Sequence, residues 1–214
     1  MKHIVVWSGG MDSTLILCDL VKKGVDVETI VFETDLFGTL KREFEERARL
    51  DIMQYLKKNI RMSKVKLDFP SDRVKGYKGG MFQQPAMIAL TTVFGEHDSI
   101  YYFGYHKGDD FFSAQYKLLK ASECLLDVMG SKNIRFSFPL RFSTKEDIVN
   151  TLENMGIASL CHFCEYPNTD YKMSGRCNEC TPCRTYEDAK TLGNIHKRNG
   201  MSYIAILNYE FGNE

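Results

Sequence analysis

Apolar residues recur in two rhythms along the chain. Short runs at His3 to Trp7, Val27 to Phe32, Val65 to Leu67, Ser99 to Gly104 and Ile134 to Phe138 read as buried strands. Between them lie segments of helical period. Leu15, Leu17, Cys18, Leu20 and Val21 supply one, with Gly24 as its stop. A longer one runs from Leu40 to Ile60, where Leu40, Phe44, Ala48, Ile52, Leu56 and Ile60 share a face. Glu43 with Arg47 and Glu45 with Arg49 then read as ion pairs on its wet face. A helix is predicted from Pro85 to about Phe94 and another from Ser113 to Met129, ended by Gly130. Ser143-Thr144-Lys145-Glu146 reads as a capping box for a helix ending at Gly156. Asp68 to Gln84 has no periodicity, carries Gly76, Gly79 and Gly80, and reads as a loop.

Strands alternate with helices up to residue 156. That order predicts an α/β fold with a doubly wound parallel sheet, whose ligands bind at the carboxyl ends of its strands. The remainder, 157–214, is rich in loops and cysteine and reads as a small module. A helix near Thr185 to His196 and a tail from Tyr203 to Phe211 close it. The expected division is therefore a nucleotide-binding domain at 1–156 and a cysteine module at 157–214.

Charge and composition narrow the partners. The chain of 214 residues has 28 basic and 28 acidic side chains, so nothing global favours nucleic acid or an anionic membrane. The apolar run Ile4 to Trp7 is too short for a secretion signal, and no stretch approaches the ~20 apolar residues of a spanning helix. A cytoplasmic location with reduced cysteines, away from membranes, is the expectation.

The first strand ends in Ser8-Gly9-Gly10-Met11-Asp12-Ser13-Thr14. Two glycines let the backbone turn tightly and present successive N–H groups to an anion, and the following helix adds its dipole. Ser8, Ser13 and Thr14 offer hydroxyl groups. Asp12 suits a helix cap or a Mg²⁺ that bridges phosphates. The string resembles the Ser-Gly-Gly-x-Asp-Ser signature of PP-loop ATP pyrophosphatases, of the adenine nucleotide alpha hydrolase-like fold. The resemblance implies that Ser8, Gly9, Gly10, Met11, Asp12, Ser13 and Thr14 bind ATP. They hold its pyrophosphate while a substrate oxygen attacks the α-phosphorus and takes AMP as an activating group. The fold further places the adenine near Val31 to Glu33. A second segment, Gly104-Tyr105-His106-Lys107-Gly108-Asp109-Asp110, follows the fourth strand. PP-loop enzymes often carry a similar segment there, which makes Asp109 the first choice for Mg²⁺ or substrate and Lys107 a candidate for phosphate.

Five of seven cysteines fall in one short segment. Cys177-x-x-Cys180-x-x-Cys183 lets consecutive thiolates turn towards one ion. A fourth ligand is needed. Cys164, twelve residues before Cys177, and Cys161, fifteen before it, both qualify, with His162 less suited. The expected metal is structural Zn²⁺, with an iron–sulfur cluster as the rival.

Loop and cysteine module together resemble 7-cyano-7-deazaguanine synthase. Arg184 after Cys183, the segment Ile134 to Leu140 and the helix from Ser143 add to the likeness. The resemblance implies a ligase that uses ATP and Mg²⁺ to adenylate 7-carboxy-7-deazaguanine. Ammonia then makes the amide, and a second adenylation dehydrates it to the nitrile. It also implies structural zinc and a homodimer. Three places depart from the family, one being the first zinc cysteine, which lies further upstream than usual with a doubled choice. Phe32-Glu33-Thr34-Asp35-Leu36-Phe37-Gly38 stands where the family has Tyr-Gly-Gln-x-His, and Met81-Phe82-Gln83-Gln84-Pro85 replaces Pro-Gly-Arg-Asn. A divergent member could therefore act on another deazaguanine acid or on a macromolecular acceptor. The rival functions are a PP-loop sulfurtransferase acting on RNA, which would use the cysteine that zinc leaves over, and a diverged nucleotide-binding scaffold.

Overall fold

The computed structural model describes residues 1–34, 39–67, 83–109, 115–130, 133–168 and 175–198. Strands β1 (Lys2–Val6), β2 (Val27–Thr34), β3 (Met62–Leu67), β4 (Ser99–Tyr102) and β5 (Ile134–Ser137) form one sheet in the order β3-β2-β1-β4-β5. Every pairing is parallel, with His3 opposite Val27 on one side of β1 and Ile100 on the other. The order reverses between β1 and β4, so the carboxyl ends of these two strands frame the switch point.

The helices are α1 (Met11–Lys22), α2 (Thr39–Leu56), α3 (Gln83–Phe94), α4 (Gln115–Val128), α5 (Lys145–Asn154) and α6 (Thr181–Arg198). Residues alternate across β1, as strand geometry requires. Val5 and Trp7 enter a core with Leu15 and Leu17 of α1, Ile52 of α2, and Ile148 and Leu152 of α5. Ile4 faces the opposite way, into a second core with Ile88 of α3 and the aromatic residues Tyr101, Phe103 and Phe138. The sheet is thus wound on both faces, as the alternating sequence predicts. Ile157, Ala158, Cys161, Tyr186 and Ala189 join the same core as α1, so the cysteine-rich segment packs directly on the first helix.

Several sequence expectations change in detail. Helix α2 stops at Leu56, where Lys57 takes a left-handed φ of 51°, and Ile60 is buried beyond it. Arg49 is not on the wet face; it is 1% exposed. Arg47 lies 3.8 Å from Asp51. The capping box sits one residue later than expected. Thr144 is the cap, its hydroxyl accepting from the Asp147 N–H at 3.2 Å while Asp147 accepts from the Thr144 N–H at 2.8 Å. Helix α6 begins at Thr181, inside the cysteine motif, rather than at Thr185. The expected loop up to Met81-Phe82, Asp110 and the tail from Tyr203 lie outside the described residues.

Candidate functional site

Strand β1 feeds directly into α1 through Ser8, Gly9 and Gly10. Gly9 has φ +90°, and a Cβ there would meet the Glu45 carbonyl oxygen at 2.9 Å, so only glycine fits this turn without strain. Gly10 is the N-cap of α1 and supplies no side chain to the first turn. The amide of Thr14 closes the first helical hydrogen bond on the Gly10 carbonyl at 3.1 Å. The N-terminal amides before it have no side-chain cap, which leaves the positive end of the helix dipole open to an anion.

The hydroxyl groups divide unequally. Ser8 Oγ accepts from the Gly10 N–H at 3.1 Å and lies 3.4 Å from Ser13 Oγ. Thr14 is fully buried, and its hydroxyl accepts from Trp7 Nε1 at 3.0 Å. Met11 is 1% exposed with its side chain in the core. Met11 and Thr14 therefore serve the loop through their backbone, and Ser8 and Ser13 bring side-chain hydroxyl groups to it.

Asp12 does not cap the helix. Lys145 Nζ donates to both of its carboxylate oxygens, at 2.7 and 2.8 Å, and His106 Nε2 lies 4.0 Å from Oδ1. Lys145 is the first residue of α5, 133 residues away in sequence. A cation at a helix N-terminus opposes the dipole, so its placement there is a cost that the Asp12 contact offsets. The segment after β4 approaches α1 closely enough that a Cβ on Gly104 would sit 2.8 Å from the Ser13 nitrogen. Lys107 is exposed on the adjoining turn, its N–H donating to the Ser143 carbonyl at 3.0 Å, and the Asp109 N–H donates to the His106 carbonyl at 3.1 Å. Asp12, His106 and Lys145 thus form the centre of the site, with Lys107 and Asp109 on the turn beside it.

Arg49 supports the loop from beneath. Nη1 donates to the Ser8 carbonyl at 2.9 Å, and the side chain lies against Gly9. Burial lowers its pKa, opposed by the charges of Glu45, Glu33 and Glu46. Neither Lys145 nor Arg49 was assigned from the sequence. A lysine opening a helix and an arginine beside the apolar face of α2 were the signals available.

The second centre is made of sulfur. The Sγ atoms of Cys164, Cys177, Cys180 and Cys183 all lie within 4.8 Å of one another, with Cys164 and Cys180 at 3.9 Å. Cys161 is not among them. It packs in the core beside α1, and burial pushes its thiol up to about 12. Peptide N–H groups point at the sulfurs. Cys177 N–H donates to Cys164 at 3.2 Å, and those of Glu179 and Cys180 donate to Cys177 at 3.4 and 3.3 Å. Burial opposes the Cys177 thiolate, but these N–H groups and the neighbouring thiols outweigh it and bring the thiol down to about 7. Burial pushes Cys164 and Cys183 up instead. Four thiols converging on one point, with amides donating to them, form a donor set that can hold a metal ion. Among the described residues this is the one such cluster of His, Cys, Asp and Glu. His162 is not a ligand. Its ring stacks on Phe44 at 5.2 Å, and burial lowers its pKa to about 4, so it is neutral.

No protein-family model matches the chain, and no curated protein does. Solved structures do match in fold. NMN synthetase from Francisella tularensis superposes with a TM-score of 0.53 at 12% identity, over 95% of this chain and 79% of that one. A predicted subunit of tRNA methyltransferase from Methanocaldococcus jannaschii gives 0.51 at 19% identity, over 94% and 89%. The chain shares the parallel α/β fold of these structures and carries a four-cysteine cluster at the start of α6. No helix among the described residues is long and apolar enough to cross a membrane.

Proposed function

We propose that this chain is an ATP-dependent enzyme that adenylates a carboxylate, 7-carboxy-7-deazaguanine or a related deazaguanine acid, and passes the activated acyl group to ammonia. One observation carries the ATP-using part. The uncapped N-terminus of α1 and the Lys145–Asp12 pair meet at the switch point of a parallel sheet. The deazaguanine part is supported by the pairing of that loop with the Cys-x-x-Cys-x-x-Cys segment and Arg184.

The loop amides and the Ser8 and Ser13 hydroxyls receive the pyrophosphate end of ATP. Asp12 and Asp109 would hold Mg²⁺, which when bound neutralises phosphate charge. Phosphate oxygens compete with Asp12 for Lys145, which then stabilises the charge that develops on the leaving pyrophosphate. A substrate carboxylate oxygen attacks the α-phosphorus, and the bond from that phosphorus to the pyrophosphate oxygen breaks. Ammonia adds to the acyl carbon, loses a proton and expels AMP to leave the amide. In a second round the amide oxygen takes AMP, and loss of AMP with the nitrogen-bound protons leaves the nitrile. The enzyme acts in the cytoplasm as a homodimer in this reading.

The four thiolates hold zinc. A tetrahedral ion with Zn–S of about 2.3 Å places its sulfurs about 3.8 Å apart, close to the 3.9 Å between Cys164 and Cys180. A [4Fe–4S] cluster gives each thiolate its own iron, and a [2Fe–2S] cluster sets its two thiolate pairs on separate irons, so either needs wider spacing than the 4.8 Å within which all four sulfurs lie. A sulfurtransferase would use the spare Cys161, which is 3% exposed and held protonated by burial.

The test is incubation with Mg²⁺, ATP, ammonium and 7-carboxy-7-deazaguanine, following AMP and product by mass spectrometry. Amide or nitrile that disappears in Asp12→Ala and Lys145→Ala is the expected result. ATP cleavage to AMP only with another acid would replace the substrate, and no cleavage with any acid would overturn the reading.

A further inference from the structure

The phosphate loop and the cysteine centre share a strap of chain. Cys164 is one of the four converging thiols. Two residues earlier, the His162 N–H donates to the Gly9 carbonyl at 3.0 Å. That carbonyl belongs to the Gly9–Gly10 peptide, and in a trans peptide the C=O and N–H point in opposite directions. Fixing the Gly9 oxygen therefore also aims the Gly10 N–H, which reaches Ser8 Oγ at 3.1 Å. The strap packs on α1 through Cys161 and on Phe44 of α2 through the His162 ring, and it is also tied to the cysteine segment. Arg176, beside Cys177, donates Nη2 to the carbonyls of Ala158 and Cys161, each at 3.4 Å, and stacks on Phe163 at 4.4 Å. The Cys177 N–H donates to Cys164 Sγ at 3.2 Å.

We propose that the metal at the four cysteines is a positioning device for the phosphate loop: by tying Cys164 to residues 177–183 it holds the His162 N–H on Gly9 and keeps the loop in its anion-binding form. The proposal rests on the reading of residues 8–14 as the ATP phosphate site. It gives the cysteine centre a part in ligand binding without any chemistry at the metal. With the ion removed, the strap is left to the amide-to-sulfur bonds, Arg176, the Phe163–Tyr186 ring contact and the packing of Cys161 in the core, and its hold on the Gly9–Gly10 peptide weakens. His162 acts here through its backbone and is a positioning residue.

The test uses the full chain loaded with Zn²⁺ or stripped with a chelator. Binding of pyrophosphate and of Mg²⁺–ATP is measured by calorimetry, and exchange of the His162 amide is followed by mass spectrometry. Stripping is expected to weaken binding about tenfold, the effect of one lost backbone contact at an anion site, and to speed exchange at His162. His162→Pro removes the N–H but no thiol, and Cys161 before it already has φ −75° and ψ 140°, which a following proline accepts. Loaded His162→Pro, shown by metal analysis to hold one ion per chain, should bind as weakly as the stripped wild type, and stripping it should weaken binding no further. His162→Ala keeps the N–H and must lose less than His162→Pro. Equal binding by loaded and stripped wild type, full affinity in metal-loaded His162→Pro, or losses that simply add would each overturn the proposal. If the loaded wild type binds neither ligand, the phosphate-loop reading falls, and the proposal with it. If it binds both equally with and without metal, only the coupling falls.

Discussion

The loop from Ser8 to Thr14 and the cysteine centre touch through one strap of chain, yet they are built on opposite plans. At the loop, donors stand open. Helix α1 has no side-chain cap, and the Lys145 ammonium is paired with the partly exposed Asp12 carboxylate. At the cysteines, acceptors are already served. Three peptide N–H groups point at Sγ atoms of Cys164 and Cys177, and Cys164, Cys180 and Cys183 are buried. An open, positively biased end suits a ligand that arrives and leaves. A closed set of four protein ligands suits an ion that stays and contributes to folding. Loss of the first should therefore cost function with little stability, and loss of the second should cost stability first and ligand binding only through the shared strap.

The largest effect expected is on the closed centre. Chelation, or Cys183→Ser, should destabilise the chain by about 5 kcal/mol, a fall in Tm of roughly 10–20 °C for a domain of this size, read by calorimetry on loaded and stripped protein. A stripped protein that melts with the loaded one would end the distinction between the centres. At the open site, Lys145→Ala should lower kcat/KM for AMP formation by about 10²–10³-fold while Tm stays near that of the wild type. An equal loss of both would make Lys145 a structural residue. Gly9→Ala probes the place where the two plans overlap. Its Cβ would press on the Glu45 carbonyl oxygen at φ +90°, so a loss of about 1–3 kcal/mol in denaturant melts is expected, together with loss of pyrophosphate binding. The smallest change is Thr144→Ala. It removes the cap that starts α5 one residue before Lys145, should cost about 1 kcal/mol, and should lower turnover less than Lys145→Ala does.

The parts most legible in the sequence were those encoded in neighbouring residues. Strand β1, the Gly9-Gly10 turn and α1 follow one another directly, so period and turn chemistry announced them together. The Cys177, Cys180 and Cys183 spacing did the same for three thiols. Where the reading slipped, the sequence offered two answers of equal local merit. Ser143 and Thr144 can each cap a helix, and each has an acid three residues on, Glu146 and Asp147. Glu45 and Arg49 have ion-pair spacing whether the arginine points outwards or beneath a loop.

The sequence by itself determined the alternation of strands and helices, the Gly9-Gly10 turn and a thiol-rich segment, because each depends on contacts within a few residues. The tertiary structure alone decided which side chains meet there. It brought Lys145 to Asp12 across 133 positions, turned Arg49 inwards to the Ser8 carbonyl, and sent Cys161 into the core so that Cys164 completed the thiol set. Such meetings depend on how whole helices pack against the sheet, and no local spacing records that packing.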